Sequence, residues 1–373
     1  MDKFLNVISF DVPYPANYGG VIDVFYKLKA LKKANIKVIL HCFEYGRNEQ
    51  AELNKYVEEI YYYKRKKNIL HLFSELPYIV KSRISEELKK NLLKNNYPIL
   101  FEGLHTCYLL GDENFKNRKK IYRESNIEHE YYRHLASAEK NKIKKKYFLS
   151  EAKKLERFEK TLNHANKMFI VSEEETKYFK IQFPNSELKF IPSFHENENI
   201  TTKPGSGNFL LYHGKLSVPE NELAAEFLIK HVFSRLKYKV KIAGMDPSKN
   251  TLRLAASVPN IEVIADPDEK EMKNLISEAH IHCLYTHQNT GLKLKLLNVL
   301  FQGRHVLVNR NMSHGTTLGP ACHYAEQPQE WIHAIEKLMK TEFTKEEIVN
   351  RRKILEDYSN KNQITKLINE IWG

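Results

Sequence analysis

The sequence predicts an α/β protein of two domains, each built around a parallel β-sheet. Short runs rich in β-branched and aromatic residues alternate with helical segments along the 373 residues, and this alternation is typical of parallel sheets. It is interrupted at residues 195–208, a polar segment that contains proline and glycine and has no apolar periodicity. We therefore expect one domain at residues 1–194, a linker at 195–208 and a second domain at 209–345.

The predicted elements follow the same alternation in both halves. In the first half we predict strands at 4–10, 37–43, 99–101, 120–122 and 167–171, and a helix at 20–34. In the second half we predict strands at 209–212, 240–243, 261–264, 281–285 and 305–308. The tail at 346–373 carries an interrupted apolar stripe of helical spacing, so we expect helices there, either capping the second domain or partly crossing back to the first.

The composition limits the partners and the compartment. A formal net charge of +13 favours an acidic partner, which is nucleic acid, an anionic membrane surface or a phosphorylated substrate. The four cysteines have no paired spacing, which favours reduced thiols in a cytoplasmic protein. The first residues lack the features of a signal peptide, and no run approaches the ~18 apolar residues that span a bilayer. We expect a cytoplasmic protein whose only contact with the cell membrane is peripheral, at its inner face.

The helix predicted after Gly291 is the most informative segment. It is apolar almost all round, as a helix packed between other elements is, yet Lys293 and Lys295 fall in its first turn. A cation there is unfavourable by roughly 0.3–1 kcal/mol because the helix dipole is positive at that end. Two lysines beside free backbone N–H groups are explained if an anion binds there, most simply a phosphate. The alternative is a buried crossover helix whose lysines extend to solvent.

Two other loops carry weaker indications of an anion site. Gly19 and Gly20 stand at the start of the first predicted helix, where glycine lets backbone N–H groups approach an anion closely; a plain tight turn explains them equally well. Lys215 follows the strand at 209–212, and the carboxyl ends of strands line the crevice in which α/β domains bind ligands. It is a second candidate for a phosphate contact, although a lone lysine in a loop is usually just solvated.

The pair Asp266 and Asp268 has the spacing of a metal-binding D-x-D sequence. Asp268 followed three residues later by Glu271 is also the pattern of a helix N-cap with its capping partner. We favour the cap and predict no metal ligands and no cofactor.

Polar residues follow two predicted strands of the first domain. Glu102 and His105 come after the strand at 99–101, which places them at the edge where ligands bind. His105 can donate to a substrate hydroxyl or carbonyl, or it is a structural histidine. The segment after the strand at 120–122 offers the donors and acceptors that a hydroxyl-rich substrate needs. Its candidate residues are Arg123, Asn126, Glu128 and His129.

Residues 137–160 hold nine lysines or arginines against four glutamates, interleaved with apolar residues. A basic amphipathic helix of this kind can lie on an anionic membrane surface, and a solvated helix that covers the core explains it equally well. Nucleic-acid binding is disfavoured, because no recognised module is present and the basic residues do not alternate with aromatic ones in a stacking pattern.

Three segments resemble the glycosyltransferases of the GT-B architecture, in particular the retaining family 4 enzymes of bacterial surface-polysaccharide assembly. They are ISFDVPYPANYGG at 8–20, YHGKLSVPEN at 212–221 and TGLKLKLLNVLFQGRHVLVN at 290–309. The resemblance implies two Rossmann-like domains with parallel sheets facing a central cleft. It also implies that the second domain binds a nucleotide diphosphate sugar and that the first binds the acceptor.

The resemblance assigns roles in the second domain and also shows departures. Lys215 occupies the place of the first phosphate-binding basic residue, and the helix-start lysines fall in the donor loop. The second basic ligand of the family aligns with Asn221, so its charge is expected to come from Lys295 instead. Two glutamates eight positions apart, for the sugar and the ribose, are replaced by Thr290 and Asn298. An asparagine can still bond a ribose hydroxyl, without charge.

The predicted function is therefore transfer of a hexose-type sugar, with retention and without metal, from a nucleotide diphosphate sugar to a glycan or lipid-linked acceptor. The alternatives are a nucleotide-sugar epimerase of the same architecture and a non-catalytic partner protein that binds nucleotide; a dehydrogenase is disfavoured because the dinucleotide fingerprint is absent. By the resemblance, His105 is the predicted catalytic residue. The predicted donor-binding residues are Gly19, Gly20, Lys215, Thr290, Gly291, Lys293, Lys295 and Asn298. The predicted acceptor-binding residues are Glu102, Arg123, Asn126, Glu128 and His129.

Overall fold

The structure of the protein, a computed structural model, describes residues 2–288 and 291–373. The chain divides into two compact units. The first unit runs to His195 and takes in Asn360–Gly373, and the second unit is Glu196–Ser359. Each unit is an α/β layered structure around a parallel sheet, so the predicted fold class is confirmed.

The sheet of the first unit, as far as the described residues go, has seven parallel strands. They are β1 (Phe4–Ser9), β2 (Lys37–Glu44), β3 (Glu59–Lys64), β4 (Ile99–Glu102), β5 (Lys120–Arg123), β6 (Lys167–Ile170) and β7 (Glu187–Phe190), in the order β3-β2-β1-β4-β5-β6-β7. The helices are α1 (Gly19–Lys33), α2 (Tyr78–Lys81), α3 (Glu86–Leu92), α4 (Glu128–Ala138), α5 (Lys142–Glu159) and α6 (Glu173–Gln182).

The sheet of the second unit has six parallel strands within the described part of the chain. They are β8 (Phe209–His213), β9 (Lys239–Gly244), β10 (Ile261–Ala265), β11 (Ile281–Leu284), β12 (His305–Val308) and β13 (His323–Tyr324), in the order β10-β9-β8-β11-β12-β13. The helices are α7 (Pro219–His231), α8 (Lys249–Ala256), α9 (Glu269–Glu278), α10 (Leu294–Gln302), α11 (Arg310–Ser313), α12 (Pro328–Leu338) and α13 (Lys345–Leu355).

The last helix, α14 (Asn360–Trp372), packs in the first unit. Its apolar side chains Ile364, Leu367 and Ile371 are buried in the same core cluster as Leu28 and Leu31 of α1. The tail is thus two helices with a break at residues 356–359, because the apolar stripe is interrupted there. None of the described helices is long and apolar enough to cross a membrane.

All ten predicted strands are present within one or two residues, and three strands were missed. The central strands are buried on both faces and read as continuous apolar runs, as strands of covered parallel sheets do. The missed strands β3, β7 and β13 lie at sheet edges. β7 alternates polar and apolar residues and β13 has only two residues, so both lack the continuous apolar run on which the prediction depended. β3 was missed although residues 60–63 are apolar or aromatic.

The segment predicted as a linker is hydrogen-bonded to the second unit over much of its length. The N–H of Thr201 donates to the carbonyl of Phe301 at 2.8 Å, and that of Gly205 donates to Phe343 at 2.8 Å. Gly207 allows a close approach, because a Cβ atom there would lie 2.3 Å from the carbonyl oxygen of Glu278.

Each sheet reverses its strand order beside its first strand. In the first unit β1 lies between β2 and β4, and in the second unit β8 lies between β9 and β11. After β1 and after β4 the chain runs to opposite faces of the sheet, and the same holds after β8 and β11. A crevice therefore opens at the carboxyl ends of each pair of strands. Each unit therefore has its own candidate site, at the crevice of its own sheet.

Candidate functional site

In the second unit, the crevice lies between the loop after β8 and the loop after β11. The first loop contains Gly214 and Lys215, and the second leads to α10 at Leu294. The first loop lies against the end of β9, where a Cβ atom on Gly244 would come within 1.8 Å of the Gly214 carbonyl oxygen. Position 244 therefore requires glycine, because a side chain there would collide with the backbone of this loop. The close packing holds the loop, with Lys215, at the end of β8.

Asn221 connects the two loops. Its side-chain amide donates to the backbone carbonyl of Lys215 at 3.0 Å, and its side-chain oxygen accepts from the ammonium group of Lys295 at 2.9 Å. The hydroxyl of buried Tyr212 donates to the Asn221 carbonyl at 2.8 Å, and the Lys295 ammonium lies 5.7 Å from the centre of the Tyr212 ring. Residues from β8, α7 and α10 thus meet around one lysine side chain.

The environment of Lys295 disfavours its charge in the absence of an anion. The pKa of Lys295 is lowered to about 8, chiefly by burial. Lys293 acts in the same direction, and Glu220 in the first turn of α7 opposes the shift. Glu220 itself accepts a hydrogen bond from the hydroxyl of Thr286. Among the described residues, the hydrogen-bond partner of the ammonium group is the neutral Asn221 amide, and no carboxylate lies in direct contact with it. Such a group gains most from an anionic ligand.

The loop after β11 ends in a turn at Gly291 before α10. Gly291 has a backbone φ of +68°, a conformation that favours glycine. Lys293 is the N-cap residue, makes no side-chain cap, and donates to the Gly291 carbonyl at 3.2 Å. The N–H groups of Leu296 and Leu297 donate to the carbonyl of Lys293, whereas those of Leu294 and Lys295 begin the helix and have no acceptor within it. Thr290, predicted to bind the donor, lies outside the described residues.

Asn298 lies one turn along α10 and is joined to the start of the second unit. Its side-chain oxygen accepts from Asn197 at 2.9 Å, and its amide donates to Glu196 at 3.5 Å. Glu196 also pairs with Lys273 at 2.9 Å. Glu196 and Asn197 were not among the predicted site residues, because the segment that contains both was interpreted as a linker.

A pocket of about 410 Å³ adjoins Glu196 and does not include the predicted phosphate ligands. It is lined by Glu196, Asn197, Glu198, Asn199, Thr201, Lys273, Asn274, Ser277 and Gln302. Because neither Lys215 nor Lys295 lines it, this cavity is separate from the predicted phosphate ligands.

The D-x-D sequence has the local structure expected of a helix cap. Asp268 is the N-cap of α9, and its side chain accepts from the N–H of Glu271 at 2.7 Å. Asp266 accepts from the N–H of Asp246 at 2.8 Å. The predicted cap at Asp268 is confirmed.

In the first unit, Glu102 and Arg123 belong to a buried charge network. The ammonium group of Lys27 lies 2.6 Å from Glu102 and 3.1 Å from Asp23. Arg123 contacts Asp23 at 3.1 Å and donates to the backbone carbonyls of Ile191 and Pro192. Both predicted acceptor ligands are thus nearly inaccessible and bonded inside the unit, where they join α1, β4 and β5. Their role in acceptor binding stays a prediction.

Replacing Lys27 with methionine should destabilise the first unit strongly. Removing one partner of a buried pair leaves the other charge without compensation, which costs roughly 3–5 kcal/mol. The chain has two tryptophans, Trp331 in the second unit and Trp372 in the first. Urea denaturation followed by Trp372 fluorescence in a Trp331→Phe background would measure the free energy of unfolding of the first unit.

The matched control is Lys32→Met, at an exposed lysine of the same helix, which should change that free energy by less than about 0.5 kcal/mol. Adding Glu102→Gln to Lys27→Met should recover part of the loss. Equal effects of Lys27→Met and Lys32→Met would contradict the buried network.

His105 and Glu128 are brought together at the carboxyl end of β4. His105 Nδ1 lies 3.9 Å from a Glu128 carboxylate oxygen, and the His105 ring stacks on Phe10 with 5.0 Å between ring centres. Phe10 in turn fills the space beside Gly20, where a Cβ atom would lie 2.4 Å from its ring. Gly20 is therefore needed for packing, whereas a Cβ atom on Gly19 would meet nothing within 4 Å.

Burial sets the charge state of this pair. It lowers the pKa of His105 well below its usual range, with Arg83 and Arg65 acting in the same direction. It raises the pKa of Glu128 to about 7; Ser125 and Arg83 oppose this, and two other glutamates add to it. At neutral pH the imidazole is therefore neutral, able to donate from one nitrogen and accept at the other.

Stability should depend on the ionisation of Glu128. Its folded pKa of about 7 exceeds its ordinary value of 4.5, so its contribution is fully present below pH 4.5 and is lost as pH rises through about 7. Glu128→Gln should remove this loss. The mutant should therefore gain stability relative to the native chain by roughly 2–3 kcal/mol more at pH 8 than at pH 5, as measured by urea denaturation.

The control for this prediction is Glu156→Gln, at an exposed carboxylate of the adjacent α5. Its difference from the native chain should be the same at both pH values. A pH-independent difference for Glu128→Gln would mean that this carboxyl group is not held protonated by burial.

The remaining predicted acceptor residues lie in different environments. Asn126 is half-buried in the loop before α4. His129 is buried, 3.7 Å from Glu159, which accepts from the Tyr178 hydroxyl at 2.7 Å. His129 is thus part of the interior between α4, α5 and α6, and its predicted contact with an acceptor remains untested.

Comparison with known proteins relates this fold to characterised structures. No family model matches the sequence. A protein described as an uncharacterised 44.6 kDa protein in the cps region of Klebsiella pneumoniae is 25% identical over 334 residues, which cover 83% of this chain and 84% of that one.

Two solved structures match almost the whole chain. Sucrose-phosphate synthase from Thermosynechococcus elongatus has a TM-score of 0.70 at 14% identity and covers 99% of both chains. Anabaena HepE, in complex with UDP and glucose, has a TM-score of 0.65 at 9% identity and covers 99% of this chain and 100% of its own. At these identities the likeness shows the fold alone. That fold is the GT-B fold of glycosyltransferases, as the sequence resemblance predicted.

Proposed function

We propose that the protein is a glycosyltransferase that moves a sugar from a nucleotide diphosphate sugar to a glycan or lipid-linked acceptor. The observation that carries the proposal is that Asn221 joins the backbone of the Lys215 loop to the ammonium group of Lys295 at the reversal of the second sheet. Lys295 brings a cation to within hydrogen-bonding distance of Asn221, the position at which the resemblance implies a basic phosphate ligand. HepE, which shares the fold, is described as a complex with UDP and glucose, and this supports a nucleotide-sugar ligand.

The chemistry follows from charge that develops on the leaving diphosphate. As the bond between the anomeric carbon and the phosphate oxygen breaks, negative charge collects on the β-phosphate. Fixed cations and helix-start N–H groups stabilise that charge more than they stabilise the bound donor. Lys215, Lys295 and the first turn of α10 would supply these interactions, and no metal ion is required in this scheme. Retention of the anomeric configuration is proposed from the resemblance to family 4.

The first unit would bind the acceptor, with His105 as the catalytic residue. A neutral imidazole beside Glu128 can accept a proton from an acceptor hydroxyl or donate a hydrogen bond to it. The relative from a capsule (cps) region supports a role in surface-polysaccharide synthesis.

The donor site is tested by replacing Lys295 with methionine. A charge-assisted contact to phosphate contributes roughly 1.5–3 kcal/mol, so Lys295→Met should weaken UDP or GDP binding by about tenfold or more. Because burial disfavours the charge of Lys295 in the free protein, the same change should leave the free protein at least as stable at pH 7. Calorimetric titration and thermal denaturation measure the two effects.

The control is Lys237→Met, at an exposed lysine distant in sequence from both loops, which should retain full affinity.

Transfer to an acceptor, followed by mass spectrometry with a panel of nucleotide sugars, should persist in EDTA. Unchanged nucleotide affinity in Lys295→Met would remove the basis of the donor site. Conversion of the donor sugar without any acceptor would indicate an epimerase.

Peripheral contact with an anionic membrane is part of the proposal. The turn at Ile69–Phe73 exposes Ile69, Leu70 and Phe73, with Phe73 84% accessible, and it follows the basic run at 64–67. Lys154 of α5 donates to the Leu72 carbonyl at 2.7 Å, so this turn is joined to the basic helix. Exposed apolar side chains beside lysines favour insertion at an anionic bilayer surface.

Replacing Ile69 and Phe73 with serine should reduce binding to vesicles. In co-sedimentation with vesicles containing anionic phospholipid, the double variant should bind at least tenfold more weakly, because each apolar side chain that inserts fully contributes about 1.5–3 kcal/mol. Ile181→Ser is the control, since Ile181 is equally exposed, at 76%, on α6. Equal binding by the two variants would assign the lipid contact to another surface.

A further inference from the structure

Three side chains of the second unit bring metal-binding atoms together, away from the predicted diphosphate site. His305 begins β12, His323 begins β13 and Glu347 lies in the first turn of α13. One ligand atom from each lies within 4.8 Å of the other two. Leu307 pairs with His323 in register, so the two histidines lie on the same face of the sheet.

The hydrogen bonding of His305 leaves a lone pair directed at a carboxylate. Its Nε2 lies 2.9 Å from the carbonyl oxygen of Thr341, and a carbonyl can only accept, so Nε2 carries the proton. Nδ1 is then an acceptor; it is fully buried, has no hydrogen-bond partner in the described part of the chain, and lies 3.9 Å from a Glu347 oxygen. Two acceptors that face each other in this way are unfavourable unless a cation lies between them.

A neutral imidazole is the form that binds metal ions. Two neighbouring polar side chains have other partners. The nearby His280 has both ring nitrogens engaged, one by the N–H of Gly207 and one by the carbonyl of Leu338. Arg351 is occupied by the carbonyls of Leu300, Gly303 and Arg304.

Glu347 is held in position by its role as a helix cap. One of its carboxylate oxygens accepts from the N–H and the hydroxyl of Thr344 at 2.7 and 3.0 Å. The other oxygen is the one that faces His305. A carboxylate fixed by one oxygen and a histidine fixed by its second nitrogen form the support that metal ligands commonly have.

We propose that His305, His323 and Glu347 bind one zinc ion, with a fourth position left for water. Imidazole ligands favour zinc over calcium or magnesium. Zinc bound at 2.0–2.2 Å in a tetrahedron brings its ligand atoms to about 3.3 Å from one another, which small rotations of exposed His323 and half-exposed Glu347 achieve. The ion would fasten the start of α13 to the amino ends of β12 and β13. The diphosphate site is at the opposite, carboxyl, ends of the strands.

The test is zinc binding to the untagged full chain after treatment with a chelator. Calorimetric titration with zinc chloride should give one site per chain, and zinc should raise the melting temperature. His323→Ala should weaken binding at least tenfold. Glu347→Gln should also weaken it while keeping the metal-free melting temperature, because glutamine can replace glutamate in a capping box.

The chain has sixteen histidines, so the control must separate a built site from surface binding. His333→Ala removes an exposed histidine of α12 and should leave the affinity unchanged. Cobalt bound in place of zinc should show the visible absorption of a tetrahedral ion, and His323→Ala should lose it. Binding that is lost equally in His333→Ala and His323→Ala, or retained in both ligand variants, would mean adventitious zinc only and would overturn the proposal.

Discussion

The parallel arrangement of the strands is the constraint on which both candidate sites depend. All strands of a parallel sheet end at the same edge, so loops distant in sequence meet there wherever the strand order reverses. In the second unit this brings Lys215 and Lys295 to a common neighbour, Asn221, across 74 residues of chain between Asn221 and Lys295. In the first unit it brings the end of β4 beside the loop after β1, where His105 stacks on Phe10.

The two units use buried charge in opposite ways. In the first, Lys27 and Arg123 are matched by Asp23 and Glu102 in direct contact. Such a network fixes the positions of its side chains, but their charges are already paired and contribute little to binding a ligand. In the second, the ammonium group of Lys295 is bonded to a neutral amide and its charge is disfavoured by burial. A diphosphate would supply the missing countercharge, and this is why the second unit is the better candidate for the donor.

The sequence predicted the parts of this arrangement that are local. Nine of the ten predicted strands are central strands, which are rich in buried apolar residues, and Lys295 was singled out because a lysine in a first helical turn is unusual. What it did not predict depends on distant pairs. The sequence placed Glu102 at the end of β4 but gave no indication of its ion pair with Lys27, 75 residues away. Likewise, Glu196 and Asn197 belong to a polar segment without periodicity, which gives no indication that it is hydrogen-bonded to α10.

The two carboxylates that cap α9 and α13 show why capping alone does not decide whether a residue binds metal. The carboxylates of Asp268 and Glu347 each accept a hydrogen bond from a backbone N–H group at the start of a helix. In each of them the second oxygen remains for another contact. The difference lies in what the second oxygen faces. At Glu347 it is the unpartnered, buried nitrogen of a neutral histidine, with a second histidine in reach. At Asp268 the side chain belongs to an exposed turn whose other aspartate is bonded to backbone. A cation is therefore favoured at the amino ends of β12 and β13, where the acceptor nitrogen of His305 faces a carboxylate oxygen of Glu347.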